Sequence, residues 1–233
     1  MGKGARTALI TGSGRNIGRG CANYLAREGF NIIVNGSSDQ AACERVADEA
    51  RAAGVDARVA MADIGDKAAV ETMARDALQA FGRVDVLVNN AAIRPGRSFL
   101  EMTDDDLTHV MTVNAYSAVW LSRAFLPGMI EGNWGRIVNF TGMMAQMGKA
   151  DRPHVTMSKH AVWGLTKSLA REFGPKGVTT NIISPGTFPG EGVNPQHEGR
   201  MQQLLDQTPA GRLGKADDIA ALVVLLCSDN GGF

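Results

Sequence analysis

Near its N-terminus the chain reads Thr11-Gly12-Ser13-Gly14-Arg15-Asn16-Ile17-Gly18. This segment follows the short apolar run 7–10 and leads into an amphipathic stretch over residues 17–28, so it joins a predicted strand to a predicted helix. Glycines allow the main chain to turn tightly and to approach a pyrophosphate, which the N–H groups and the positive end of the next helix stabilise. An ordinary glycine turn is the alternative, and the strand–turn–helix context favours a nucleotide-binding loop.

Apolar runs of strand length alternate with helical patterns along the whole chain. Strands are predicted at 7–10, 31–35, 56–61, 84–89, 135–140 and 178–183. Helices are predicted at 17–28, 39–53, 66–81, 104–127, 153–173 and 215–228. Such alternation predicts a doubly wound parallel sheet covered by helices on both faces, a three-layer α/β/α fold. No repeat or linker interrupts the pattern, so we expect a single domain over residues 1–233.

Local signals support several of these boundaries. Thr103 followed by Asp106 predicts a helix N-cap, and Pro153 suits a first helical position. The segment 187–211 contains three prolines and many polar residues. We expect it to form one long mobile loop that covers a ligand beyond the end of a strand.

Composition excludes several classes of partner. Lys and Arg number 24 and Asp and Glu number 24, so the formal net charge of +0 offers no attraction for nucleic acid or an anionic membrane. No apolar run reaches the ~18 residues that a membrane-spanning helix needs. The three cysteines, Cys21, Cys43 and Cys227, lack metal-ligand spacing, and we expect buried reduced thiols in a cytoplasmic protein without a metal site.

Motifs along most of the chain carry a more specific resemblance. They are the glycine-rich segment 11–18, Asp63-Ile64, Asn89-Asn90-Ala91-Ala92, Val113-Asn114, Gly135-Arg136-Ile137-Val138-Asn139, Ser158-Lys159 and Ile183-Ser184-Pro185-Gly186. In these motifs the chain resembles the short-chain dehydrogenase/reductase family, of the type represented by 3-oxoacyl carrier-protein reductases. The resemblance extends from residue 6 to residue 233 and implies a Rossmann-type fold and an oxidoreductase.

The resemblance implies a set of cofactor-binding residues. They are Gly12, Ser13, Arg15, Asn16, Ile17, Gly18, Ser37, Asp63, Ile64, Asn90, Ala91, Thr141, Lys159, Pro185 and Gly186. Asp63 would contact adenine, Asn90 and Ala91 would line the ribose, and the backbone at Pro185 and Gly186 would contact the nicotinamide amide. A plain turn or cap remains the alternative for Asp63 and for the Pro185-Gly186 pair.

The end of the second predicted strand bears on cofactor choice. An NAD-selective site usually places an acidic side chain there, which accepts from the ribose hydroxyls and repels a 2′-phosphate. Here Gly36 and Ser37 follow the strand and the first acid is Asp39, while Arg15 in the glycine-rich segment could face a phosphate. These residues favour NADP(H) over NAD(H), although Arg15 could equally be a solvated loop residue.

The catalytic group departs from what the resemblance implies. Asn114 and Lys159 match the family, but Gly142 stands at the position of its serine and Val155 at the position of its proton-donating tyrosine. Residues 155 and 159 share a helix face at i, i+4 spacing, so an isopropyl group points where the acid should be. His154 lies about 100° around the helix from residue 155, and we expect it to be partly exposed.

Further departures concern the loops and the C-terminus. Asn16 replaces a loop glycine, which asparagine's tolerance of positive φ permits, and Gly190 stands where the family often has a threonine. Residues 228–233 correspond to a stretch that leads into a last strand in the family. We therefore expect the final strand of the sheet to be missing.

Three functions from different classes remain open. The first is an NADP(H)-linked oxidoreductase acting on a carbonyl or alcohol, with Asn114 and Lys159 as its catalytic polar groups. The second is a non-redox lyase or hydratase on the same scaffold, and the third is a cofactor-binding inactive homologue. The resemblance also implies a small-molecule substrate and a homodimer or homotetramer, formed through the helices predicted at 104–127 and 153–173.

Overall fold

A computed structural model of the chain describes residues 5–188, 202 and 204–232. Its six strands are β1 Thr7–Ile10, β2 Asn31–Gly36, β3 Ala57–Met61, β4 Val86–Asn89, β5 Gly135–Phe140 and β6 Val178–Ile183. Its helices are α1 Asn16–Arg27, α2 Gln40–Ala52, α3 Lys67–Phe81, α4 Asp104–Met111, α5 Ser117–Glu131, α6 Met143–Met147, α7 Pro153–Phe173 and α8 Ala216–Cys227. The predicted element types are confirmed, and most boundaries agree within one or two residues.

All neighbouring strands are parallel, in the order β3-β2-β1-β4-β5-β6. The chain reverses its direction of travel across the sheet between β1 and β4, so a crevice opens there at the carboxyl ends of the strands. Leu9 in β1 pairs with Ile33 in β2 and with Leu87 in β4, which fixes the register at this reversal. The Rossmann-type arrangement is therefore confirmed, and β6 is an edge strand of the described sheet.

Two apolar clusters cover the two faces of the sheet. Ile10 points into a cluster with Leu25 of α1 and Val223 of α8, whereas the adjacent Leu9 points into a cluster with Phe125 of α5. This separation follows from the alternation of side chains along a strand. Helices α1, α2 and α8 thus form one outer layer, while α3, α5 and α7 form the other.

The structure corrects the helix predicted at 104–127. It consists of α4, a π-helical turn over Thr112–Tyr116, and α5, which continues beyond Pro127 to residue 131. Phe125 and Met129 are almost completely buried on either side of Pro127, so their packing outweighs the lost backbone hydrogen bond. The short helix α6 was not predicted, since five residues carry too little periodicity.

The local start signals are confirmed. Thr103 and Asp106 form a reciprocal capping box at α4, and Pro153 occupies the first turn of α7. Much of the loop expected at 187–211, including Gly190, lies outside the described residues.

Candidate active site

The glycine-rich segment forms a tight cradle at the crevice between β1 and β4. Gly12 has a φ of 62°, and a Cβ atom there would lie 2.9 Å from Cβ of Ala91. A Cβ atom on Gly18 would lie 2.5 Å from the carbonyl oxygen of Gly12. Asn16 adopts a positive φ of 50°, the left-handed conformation that asparagine tolerates. Glycine at residues 12 and 18 therefore permits the tight turn that leads into α1.

Polar side chains from neighbouring strands hold this cradle in shape. The amide of Asn90 donates to the carbonyl oxygens of Thr11 and Gly12, at 2.9 and 3.1 Å. The hydroxyl of Thr11 accepts from the backbone N–H groups of Asn90 and Ala91, both at 3.0 Å. Asn90 thus braces the loop as well as lining the cleft, a structural role beyond the ribose contact expected of it.

Asn35 at the end of β2 is a second brace, which the sequence did not reveal. Its Oδ1 accepts from the N–H of Gly12 at 3.3 Å, and its Nδ2 donates to the carbonyls of Ala60 and Ala62. The buried Ser13 hydroxyl donates to Ile10 and accepts from the N–H of Asn35. Ser13 therefore holds β1 and β2 together and, contrary to expectation, does not line the cleft.

A cleft of about 930 Å³ lies above the cradle. Ten of the predicted cofactor-binding residues line it: Gly12, Arg15, Asn16, Ile17, Gly18, Ser37, Asp63, Ile64, Asn90 and Ala91. Thr141, Lys159, Pro185 and Gly186 are not part of that wall. Thr141 is buried with a hydroxyl that has no hydrogen-bond partner among the described residues. The structure therefore brings together ten of the predicted residues, while Thr141 follows β5, Pro185 and Gly186 follow β6, and Lys159 lies on α7.

Asn114 lies in the π-helical turn, a distortion that is common at functional sites. Its Oδ1 accepts from the N–H of Ile93 at 2.8 Å, and its Nδ2 donates to the carbonyl of Ile93 and to the hydroxyl of Ser158, both at 3.0 Å. The Ser158 hydroxyl in turn donates to the carbonyl of Val155 at 2.7 Å. The Asn114 amide thus joins the loop after β4 to α7, and its hydrogen-bonding capacity is largely used in doing so.

Lys159 lies one helical turn beyond Val155 and is buried. Its ammonium group donates to the carbonyl oxygen of Phe140 at 2.9 Å. Burial and, to a lesser extent, the charge of Arg94 lower the pKa of Lys159 to about 7. Because this pKa is near neutrality, Lys159 can both give and accept a proton under physiological conditions.

The resemblance of the sequence motifs places two expected departures from the family at residues 142 and 155. Val155 is buried on α7. Gly142 has an extended backbone with a φ of −178°, and a Cβ atom there would meet nothing within 4 Å. A hydroxyl-bearing side chain at residue 142 would therefore have room.

The expectation that His154 is partly exposed is wrong. Its side chain is 0% exposed, and its ring nitrogens have no hydrogen-bond partner among the described residues. The first turn of α7 packs against α4, and this packing encloses a side chain that helix periodicity alone placed nearer the surface.

No group of three or more His, Cys, Asp or Glu side chains in the described part of the chain is arranged to hold a metal ion. None of the described helices is both long and apolar enough to cross a membrane. Cys21, Cys43 and Cys227 are all free and buried.

The sheet order, the glycine cradle and the cleft define a dinucleotide-binding domain. Residues 12–233 match the family model of enoyl-(acyl carrier protein) reductases. The 3-oxoacyl-[acyl-carrier-protein] reductase FabG of Staphylococcus epidermidis is 35% identical over 226 residues, covering 96% of this chain and 92% of the relative. The FabG of Pseudomonas aeruginosa is 32% identical, covering 98% and 92%. The chain belongs to the short-chain dehydrogenase/reductase family of NAD(P)-dependent oxidoreductases.

A solved structure agrees with this assignment. The crystal structure of a proposed short-chain alcohol dehydrogenase from Sinorhizobium meliloti 1021 is 27% identical in sequence. It matches with a TM-score of 0.92 over 99% of this chain and 92% of that chain. The family expected from the sequence motifs is therefore confirmed.

Proposed function

We propose that the protein, as a single domain over residues 1–233, is an NADP(H)-dependent oxidoreductase that interconverts a carbonyl compound and an alcohol. The observation that carries the proposal is the cradle formed by Gly12 and Gly18, where a Cβ atom would collide with Ala91 or with the carbonyl oxygen of Gly12, so that only glycine permits the tight turn that a pyrophosphate-binding loop makes. The loop is braced before any ligand binds, and the positive end of α1 lies directly beyond it. The residues present therefore fit a dinucleotide.

The preference for NADP(H) rests on the charges at the end of β2. Gly36 and Ser37 line the cleft without a carboxylate. Asp39, the first acid beyond them, caps α2 by accepting from the N–H of Ala42 at 2.9 Å. Arg15 is exposed in the cleft wall, and its side chain forms no hydrogen bond or ion pair within the described ranges. Arg15 would therefore bind a 2′-phosphate.

Lys159 is the group that we propose for proton transfer. When bound, the nicotinamide supplies or accepts the hydride, and the substrate oxygen must gain or lose a proton. Val155 has no titratable group, whereas Lys159 has a pKa of about 7 and a fixed bond to the end of β5. We propose that its Nζ holds this proton, with water carrying it to the substrate. Asn114 acts by positioning α7 through Ser158.

One observation favours two other functions. These are a non-redox lyase or hydratase and an inactive cofactor-binding homologue. The buried side chain of Val155 has no acidic group. By the resemblance of its motifs it occupies the position of the family's tyrosine, and neither non-redox chemistry nor binding needs that phenol. Titration of the protein with NADPH and NADH, followed by assay of NADPH consumption with a panel of ketones, distinguishes these functions. Binding without turnover would favour the inactive homologue, and no binding would favour the non-redox enzyme.

We also propose that the protein is a cytoplasmic homodimer or homotetramer without nucleic-acid or membrane partners. The three free, buried thiols suit a reducing compartment. Tyr116, in the turn before α5, and Met157 on α7 are 47% and 49% exposed in the single chain, which leaves apolar surface on the helices expected to pair.

A further inference from the structure

Arg94 lies in the cleft wall, and its charge interacts with Lys159 and with a second arginine, Arg152. Arg94 follows β4 and lines the cleft wall as an exposed residue, and partial desolvation of its guanidinium and then the charge of Arg152 lower its pKa. The charge of Arg94 in turn lowers the pKa of Lys159. Each effect requires that the two groups lie close enough for their charges to repel. The charge of Arg94 therefore acts on Lys159, and the charge of Arg152 acts on Arg94.

The fold explains how these side chains come together. Arg152 is the N-cap of α7, so it lies on the same side of the helix as Val155 and Lys159, three and seven residues later. The N–H of Arg97 donates to the carbonyl of Asp151 at 2.6 Å, which ties the loop after β4 to the start of α7. The loop that carries Arg94 and the helix start that carries Arg152 are thus held together.

Acidic side chains nearby do not balance this charge. Asp106 on α4 already accepts from Thr103 and pairs with Arg97 at 3.4 Å. Across residues 5–188 and 204–232, neither Arg94 nor Arg152 takes part in an ion pair. The Asp151 side chain is exposed. Repulsion between the exposed Arg94 and the half-buried Arg152 is unfavourable by itself, and an anion placed between them would relieve it.

A guanidinium group suits particular anions. Its planar array of N–H donors matches a carboxylate or a phosphate with two parallel hydrogen bonds. The positive end of α7, at Arg152, adds to the same field. We propose that Arg94 and Arg152 bind a carboxylate or phosphate group of the substrate, so that the enzyme acts on oxo acids or oxo phosphates in preference to neutral ketones. This inference rests on the carbonyl chemistry proposed above.

Binding measurements test the proposal without depending on turnover. The complex of the protein with NADP⁺ is titrated by calorimetry with two matched pairs, acetoacetate against methyl acetoacetate and dihydroxyacetone phosphate against dihydroxyacetone. The charged member of at least one pair should bind about 10-fold more tightly or better. The first pair identifies a carboxylate site and the second a phosphate site.

Substitution of each arginine tests whether it is responsible for the preference for charged ligands. Arg94→Gln and Arg152→Gln should each remove most of it, about a 10-fold loss for the charged ligand, with little change for its neutral partner. Arg97→Gln is the matched control, because Arg97 lies in the same loop but already pairs with Asp106. Arg94→Lys should restore part of the affinity. Should Arg94→Gln fail to fold, the half-buried Arg152 provides the same test.

The outcomes separate this inference from the proposed function. Equal binding of charged and neutral ligands, or no binding of either anion, would overturn the inference even if neutral ketones are reduced. Variants that weaken NADPH binding without an effect on the anion preference would assign the arginines to the cofactor and also overturn it. Arginine-dependent anion binding without NADPH oxidation by any carbonyl compound would support the anion site and contradict the oxidoreductase proposal.

Discussion

Nζ of Lys159 lies 2.9 Å from the carbonyl oxygen of Phe140, so α7 is tied to the last residue of β5 through a buried ammonium group. A charged group in this position is desolvated, and only one hydrogen bond to it is provided by the described residues. The contact with Phe140 positions the lysine, whereas the burial of the ammonium group makes its protonation costly. This relationship has consequences for stability as well as for chemistry.

Lys159 should make the unfolding free energy rise with pH. Its pKa is about 7 in the folded protein, against about 10.4 in the unfolded chain. Between these values the unfolded state binds more protons, so the destabilising cost is fully present below about pH 7 and is relieved as pH increases. Urea unfolding from about pH 7 to 8.5 should show an increase of roughly 1–2 kcal/mol.

Lys159→Met is the control for this effect, since it removes the titrating group. Burial also raises the pKa values of the three cysteines, and their contribution has the opposite sign at high pH. The difference between wild type and variant isolates the lysine. Parallel pH profiles for the two proteins would contradict the assigned pKa.

Gly18→Ala should disrupt the cradle. The new Cβ would lie 2.5 Å from the carbonyl oxygen of Gly12 and 2.8 Å from Nδ2 of Asn90, so the brace and the loop must move. We expect a loss of stability of about 1–3 kcal/mol and NADPH binding weaker by at least about 10-fold.

Gly164→Ala is the matched substitution within a helix. A Cβ atom at residue 164 in α7 would meet nothing within 4 Å. This variant should be more stable by about 0.5–1 kcal/mol, because alanine loses less backbone freedom on folding, and cofactor binding should be unchanged. Equal cofactor affinity in both variants, measured by fluorescence titration, would refute the role given to the cradle.

Arg15→Ala tests the preference for NADP(H). Removal of a charge-assisted contact should weaken NADPH binding by about 1–3 kcal/mol and leave NADH binding unchanged. Arg75→Ala serves as control, because Arg75 is an exposed residue of α3 whose described ion pair is with Asp76 at 3.7 Å. If the Arg15→Ala substitution weakens NADPH binding and NADH binding equally, this side chain does not recognise the 2′-phosphate.

Assembly can be measured directly by light scattering. We expect a homodimer or homotetramer at micromolar concentration, and Met157→Asp should shift it toward smaller species by placing a charge on the apolar face of α7. Met61→Asp is a control at an exposed methionine of β3. A monomeric wild-type protein would refute the proposed assembly.

The fold was largely predictable because its signals are local. The glycine-rich segment marks the junction of β1 and α1, and the capping pair Thr103 and Asp106 marks the start of α4. The π-helical turn was not predictable, since it depends on bonds from the Asn114 amide to Ile93 and Ser158, distant in the chain. A helical period gives no indication of such a distortion.

The same contrast between local sequence signals and long-range contacts applies to the site. Motif spacing identified residues that line the cleft. The hydrogen bonds that Asn35 forms with Gly12 and Ser13, in contrast, depend on which strands are adjacent in the sheet. Arg94 follows the polar motif at the end of β4, and no sequence spacing distinguishes it from other loop residues. Its relation to Arg152 arises because the loop after β4 packs against the start of α7. The roles of these residues depend on tertiary packing, which local sequence patterns do not indicate.

The final prediction concerns Val155 and Gly142. General acid catalysis contributes about 10²–10⁴-fold, so the natural chain should reduce ketones more slowly by that factor than relatives with a phenol and a hydroxyl. Val155→Tyr with Gly142→Ser should raise NADPH-dependent reduction, because Lys159 one turn later would lower the pKa of the new phenol. The serine has room, since a Cβ atom at residue 142 meets nothing within 4 Å.

The two substitutions should also depend on each other. Both new hydroxyls would hold the same substrate oxygen, so the double variant should exceed the product of the single effects in kcat/KM. Val155→Phe with Gly142→Ser is the matched control, since it adds the ring without the acid. A double variant that binds NADPH yet reduces no ketone or oxo acid would show that the site differs from a carbonyl reductase by more than two side chains, and the proposed oxidoreduction would then lose its support.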